Sequence, residues 1–178
     1  SSGDPGVFAM ASALFEALED GPEAWRALDI RILPGITAML AAAARLGAPL
    51  GHDFCAINLS DNLKPWAVIE HRLRMAARGD FAMAFYNPRS RARPEGFGYV
   101  LDVLREELGG ERPISFARDV TKPGEQLLTL PLAEARAGMA DMRTVVIVGN
   151  SMTRQVGRFV YTPRQAPGVQ APGVRGAE

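Results

Sequence analysis

What most constrains this chain is an alternation. Short runs rich in β-branched and aromatic residues recur between stretches of helical period, and that order builds an α/β fold. Strands are expected at "DIRIL" (29–33), "FCAINL" (54–59), "FAMAFY" (81–86), "ISFAR" (114–118), "QLLTL" (126–130) and "TVVIVG" (144–149). Helical spacing covers 36–46, 66–77, 95–108 and 132–137 between them. The opening "SSGDPGVFAMASALFEAL" predicts one more helix, with Asp4 as N-cap and Pro5 at the first helical position. Val7, Met10, Ala11, Leu14, Phe15 and Leu18 then form one apolar stripe suited to packing on a sheet. A turn of this kind normally follows a buried strand, so the chain reads as lacking the front of its first domain. The competing explanation is that Ser1, Ser2 and Gly3 are a vector-derived scar.

Composition narrows the partners. Of the 178 residues, 47% are hydrophobic, which is ample for a core. Twenty basic and twenty acidic side chains cancel, so no global field draws in nucleic acid or an anionic membrane, and any anion site must be local. The single cysteine, Cys55, excludes an intramolecular disulfide and any metal site built from several thiolates of this chain; a reducing cytoplasm fits, and no metal is expected. No apolar run approaches the roughly 20 residues that span a bilayer. Segment 47–53, "GAPLGHD", reads as a hinge between two structured parts. From Arg154 periodicity fades, and 162–178, "TPRQAPGVQAPGVRGAE", reads as a disordered Pro/Gly-rich tail.

Almost every expected strand runs into a polar loop at its carboxyl end: "LPGITA", "LSDN", "YNPRSR", "RDVTKPG" and "VGNSMTR". Open α/β sheets bind ligands at that end. The Gly-Asp-Pro turn and the "PGITA" turn each open a helix, whose unpaired N–H groups and positive dipole end suit a carboxylate or polar ligand edge. Asp4 and Thr37 serve equally well as plain caps. In "FYNPRS", Pro88 restricts Asn87 to an extended or turn conformation. His52, His71 and Cys55 have no partner pattern for a metal or nucleophile and are assigned to structure.

Three segments together, "SSGDPGVFAM", "LPGITAMLAAAARLGAPLGHDF" and "AFYNPRSR", resemble the tetrapyrrole methylases of corrin and sirohaem synthesis, and "SFARDVTKPGE" with "VVIVGNSMTR" extends the likeness to about Arg154. The resemblance implies two α/β subdomains with a cofactor cleft between them. The first, 1–52, is incomplete, since the family's glycine-rich loop lies upstream of the Gly-Asp-Pro turn and nothing here matches it. The second spans 53–161, ahead of the 162–178 tail. It implies S-adenosyl-L-methionine as methyl donor, a precorrin-type tetrapyrrole as acceptor, and a homodimer. Residue by residue it assigns donor contacts to Ser2, Gly3, Asp4, Val7, Thr37, Ala38, Tyr86, Asn87 and Val120. At Asn87 the family often has methionine, which leaves a backbone contact as the expectation there. A polycarboxylate acceptor needs cations around a flat ring, and arginine forks suit that. Arg89, Arg91 and Arg93 are the first candidates, with Lys64, Arg118 and Arg154 as additions. Another tetrapyrrole or diphthamide methylase, or a non-catalytic nucleotide-binding domain, remains open at this point.

Overall fold

The computed structural model describes residues 3–165. Its helices are α1 Met10–Asp20, α2 Ala38–Leu46, α3 Trp66–Arg78 and α4 Gly96–Leu108, and its strands are β1 Gly47–Ala48, β2 Phe54–Asn58, β3 Ala82–Tyr86, β4 Pro113–Arg118, β5 Gln126–Pro131, β6 Thr144–Val148, β7 Arg154–Val156 and β8 Phe159–Tyr161. Five strands form a mixed sheet in the order β2-β3-β6-β4-β5, and a small second sheet has the order β1-β8-β7. Only β2 and β3 run parallel in the large sheet; β6 is antiparallel to both of its neighbours, β3 and β4.

Strand alternation sorts the core onto two faces. Met83 and Phe85 of β3, Ile114 and Phe116 of β4, and Val146 and Val148 of β6 pack against Ile69 and Leu73 of α3 and Phe97, Leu101 and Leu104 of α4. Each large side chain so buried contributes roughly 1.5–3 kcal/mol. The opposite face carries Ala84, Ala117, Val145 and Ile147, covered by Ala42 and Leu46 of α2. Because both faces are covered, every residue of β6 is buried, which is why "TVVIV" is continuously apolar rather than alternating. An ion network locks α3 to α4: Arg74 meets Glu70, Glu106 and Glu107 at 2.8–2.9 Å, and Arg78 meets Glu107 at 2.9 Å.

The strands expected from 54 onward all form, but the expected strand at 29–33 does not. Among the described residues no strand lies beside it, and an extended run without a ladder partner leaves its peptide groups to water. The first helix begins at Met10, not Pro5. Asp4 is not its cap: one carboxylate oxygen accepts from the Gly6 N–H at 2.8 Å and the other from the Gly35 N–H at 3.1 Å, and the chain passes through left-handed Phe8 before the helix starts. The α1 stripe is present but not on a sheet; Ala11 is buried while Met10, Leu14 and Phe15 are exposed.

The helix expected at 132–137 is two 3-10 turns, Leu132–Glu134 and Ala137–Met139. The Arg105 guanidinium takes the Leu132 and Ala135 carbonyls that a continuous helix would use. Segment 47–53 is tied rather than loose. Gly47, at φ +130°, brings β1 so near β8 that a Cβ there would lie 2.8 Å from the Val160 carbonyl. Thr162, placed by sequence in the tail, is 3% exposed, and its hydroxyl donates to the Pro49 carbonyl at 2.6 Å. Tail residues 166–178 lie outside the described residues.

Candidate functional site

The carboxyl ends of β3 and β4 and the amino end of β6 lie at one edge of the sheet, because β6 is antiparallel to both. On the α2 face at that edge the side chains are small. Ala38 and Ala41 of α2 and Ala117 of β4 leave space unfilled, and a cavity of about 300 Å³ opens there. That volume sits at the lower end of the roughly 300–1,000 Å³ typical of small-molecule sites.

Its walls come from separated stretches of chain. Gly3 and Ile36 close one side, Tyr86 and Asn87 come from the end of β3, and Val120, Thr121 and Lys122 from the turn after β4. The Tyr86 hydroxyl fastens two of these walls. It shares a hydrogen bond with Thr37 Oγ1 and accepts from the Met39 N–H at 3.0 Å, so a tyrosine on β3 caps α2 across 47 residues. Thr37 stands at the N-cap position, yet its hydroxyl is spent on Tyr86 and makes no cap of its own.

A second fastening runs from the other end of α2. Arg45 Nε donates to Glu125 at 2.8 Å, and Glu125 accepts the Thr121 N–H at 2.7 Å. Arg45 first, then the Thr121 amide, holds the Glu125 carboxyl below its ordinary range. This matters because Asp119 and Thr121 both adopt left-handed backbone, at φ +49° and +64°. Such conformations cost about 1 kcal/mol or more apiece and persist where the surroundings hold them. Asn87 is likewise left-handed at φ +53°, a tighter bend than the extended form, and its side-chain amide donates to Asn58 Oδ1 at 3.1 Å.

Of the residues singled out by sequence, Gly3, Ala38, Tyr86, Asn87 and Val120 line this one cavity. Thr37 is 4% exposed and lies behind Tyr86. Asp4 does not line it: its carboxylate is occupied by Gly35 and Gly6, whose N–H groups, Gly35 first, hold it below the ordinary aspartate range. Val7 is outside the lining, and Ser2 is outside the described residues. Asp119, Lys122 and Thr144 line it too and were not anticipated. Asp119 and Lys122 sit inside the quoted "RDVTKPG", whereas Thr144 and Val145 reach the cavity only because β6 starts opposite the end of β4, a pairing that sequence order does not disclose.

The arginines separate. Arg89 and Arg91 line a second hollow, about 520 Å³, that shares Met142 and Arg143 with the first. Arg93 turns away: it donates to the Leu59 carbonyl at 3.2 Å, meets Asp61 at 3.3 Å and lines neither of these two hollows. Lys64 donates to the Asn58 carbonyl, and burial, with nearby Arg72, lowers its ammonium pKa. Arg118 is paired with Asp119 and Asp141, each at 2.9 Å. Arg154 lies in β7, and "VGNSMTR" stands at the opposite end of the sheet, where Ser151 binds Asp80. His52, His71 and Cys55 line neither hollow, and burial raises the Cys55 thiol pKa. Among the described residues no group of three His, Cys, Asp or Glu side chains is placed to hold a metal, and no helix is long and apolar enough to cross a membrane.

Comparison with known proteins gives consistent matches. A precorrin-3B C(17)-methyltransferase from Sinorhizobium sp is 54% identical over 169 residues, covering 92% of this chain and 66% of that protein. The chain therefore spans about two thirds of that relative's length. The crystal structure of the methyltransferase CobJ superposes with a TM-score of 0.89 at 69% identity, over 92% of this chain and 68% of that one. Uroporphyrin-III C-methyl transferase from Thermus thermophilus, solved with S-adenyl homocysteine, shares the fold at a TM-score of 0.58 and 21% identity, over 83% of this chain and 62% of its own. The family model of the tetrapyrrole (corrin/porphyrin) methylases matches residues 1–136, and the chain belongs to that family.

Proposed function

We propose that this chain forms the larger part of an S-adenosyl-L-methionine-dependent methyltransferase that methylates C17 of precorrin-3B, with ring contraction to precorrin-4, in cobalamin biosynthesis. The observation that carries the reading is the convergence of Gly3, Ala38, Tyr86, Asn87 and Val120 on one cavity from four separated stretches of chain. The Sinorhizobium relative, a precorrin-3B C(17)-methyltransferase, supports the choice of acceptor and carbon.

The residues fit the donor. Lys122 and the start of α2 give the cavity a positive edge for a carboxylate, and Asp119, 11% exposed at its side chain, offers an acceptor for hydroxyl or amino groups. When bound, S-adenosyl-L-methionine supplies an electrophilic methyl group on a sulfonium. Gly3, Ala38 and the Tyr86–Asn87 corner then have one task, to hold that end in line with the acceptor carbon. Orientation of this kind contributes roughly 7–11 kcal/mol over free encounter. The leaving thioether is neutral, so no side chain has to protonate it. A homodimer in the cytoplasm completes the reading.

Titration calorimetry of the full-length protein with S-adenosylhomocysteine and with NAD is the test, followed by its transfer of labelled methyl to precorrin-3B. Binding of the homocysteine product but not NAD, with label at C17, is expected. NAD binding with no response to the product overturns the reading.

A further inference from the structure

Methyl transfer requires the acceptor to lie in a space continuous with the donor's. The two hollows described above meet at Met142 and Arg143, which line both. The larger one carries Arg89 and Arg91, and the hydrogen bonds show which arginines there have donors to spare. Arg89 spends only Nε, on the Pro94 carbonyl at 3.0 Å. Arg91 donates no side-chain hydrogen bond among the described residues, and neither does Arg143.

Arg143 is the informative case, because two carboxylates lie near it. Asp119 and Asp141 are 3.4 and 3.9 Å from its guanidinium, beyond good hydrogen-bond range. One oxygen of each is already bound at 2.9 Å by Arg118, which donates Nη1 to Asp119 Oδ2 and Nε to Asp141 Oδ2. Further bonds complete Asp141, whose second oxygen accepts the Thr144 hydroxyl and the Arg143 backbone N–H, each at 2.9 Å. Arg118 thus takes the short hydrogen bonds of both acids, and the Arg143 fork, 61% exposed, balances their remaining charge from 3.4 and 3.9 Å with its donors free at the mouth between the two spaces. Its backbone is fixed nonetheless, by that Asp141 bond and by the Asp119 N–H donated to its carbonyl at 3.0 Å. A fixed backbone carrying an uncommitted fork is the arrangement that binds a ligand carboxylate bidentately.

We propose that Arg143, with Arg89 and Arg91, forms the carboxylate-binding wall of the acceptor hollow, taking the place that sequence reasoning gave to Arg93. This rests on the methyltransferase reading above, and it assigns Arg143 to orienting an acidic macrocycle against the donor cavity.

The test uses uroporphyrin III as a polycarboxylate macrocycle, followed by fluorescence quenching across a salt series, and S-adenosylhomocysteine followed by calorimetry. The proteins are the full-length protein, its Arg143→Ala and Arg143→Lys variants, and Arg158→Ala as a control on the β7–β8 hairpin. Arg143→Ala is expected to weaken uroporphyrin binding roughly tenfold, the value of a charged hydrogen bond, and to flatten its salt dependence. S-adenosylhomocysteine affinity falls by clearly less than uroporphyrin affinity, Arg143→Lys recovers part of the uroporphyrin loss, and Arg158→Ala has no effect. Uroporphyrin affinity within twofold of wild type in Arg143→Ala, or equal losses for both ligands, overturns the assignment. Wild type that binds the homocysteine product but not uroporphyrin overturns this inference alone; wild type that binds neither overturns the donor reading and this inference with it.

Discussion

Removing one oxygen atom, by Tyr86→Phe, tests how the cavity is held together. The Tyr86 hydroxyl accepts the Met39 N–H at 3.0 Å and shares a hydrogen bond with the Thr37 hydroxyl, which is 4% exposed. The substitution leaves the ring in place against Phe8, 5.1 Å between centroids, so little packing changes. What changes is that two groups with little access to water lose their partner, at about 1 kcal/mol each. The expected cost is about 2 kcal/mol, a fall of roughly 4–8 °C in Tm for a domain of this size. Differential scanning calorimetry measures it, and amide hydrogen exchange locates it: protection at Met39 is lost while β6 stays protected. Thr37→Val removes one of the same two bonds, so the double variant is expected to lose about 1 kcal/mol less than the sum of the singles. A Tyr86→Phe change under about 0.5 kcal/mol, or an additive double variant, refutes the claim that this hydroxyl fastens α2 to β3.

Two further outcomes follow from the same geometry. In Gly35→Ala the new Cβ would lie 2.4 Å from the Gly3 carbonyl oxygen and 2.8 Å from its carbon, so the Gly3 turn must move off the cavity; S-adenosylhomocysteine affinity is expected to fall at least tenfold by calorimetry, with the five-stranded sheet intact by circular dichroism. Glu107 lies between Arg78 and Arg74, which pull its carboxyl from 4.5 down to about 2. Its folded pKa is below the unfolded one, so its contribution is full above about 4.5 and is lost as pH falls toward 2; Glu107→Gln is expected to flatten the fall of Tm across that window, and a slope equal to wild type refutes it.

How far the structure is legible in the sequence depends on whether a feature is local or relational. "TVVIV", "AMAFY" and "ISFAR" declare themselves because residue type and period suffice for a buried strand. "DIRIL" has the same composition and forms no strand, since a strand is also a statement about its neighbour. Asp4 shows the same limit at a smaller scale. The residue that suits an N-cap also suits a turn that binds a distant amide, and only the arrival of Gly35 decides between them. At 132–137 the sequence has no feature that reveals Arg105 arriving from α4 to take the carbonyls.

The candidate site divides along the same line. "PGITA" and "FYNPR" each end one element and begin another, and a cavity built where elements end is lined by such corners; their joint appearance is therefore readable before any coordinates exist. Arg143 is not readable in this way. It precedes a strand instead of following one, and a rule that looks for ligands after strands passes over it. Only the antiparallel run of β6 between β3 and β4 turns the start of that strand toward the ends of the other two, while carrying "VGNSMTR" to the far edge. One reversal of strand direction therefore accounts both for the loop that sequence order placed at the site and for the arginine it left out.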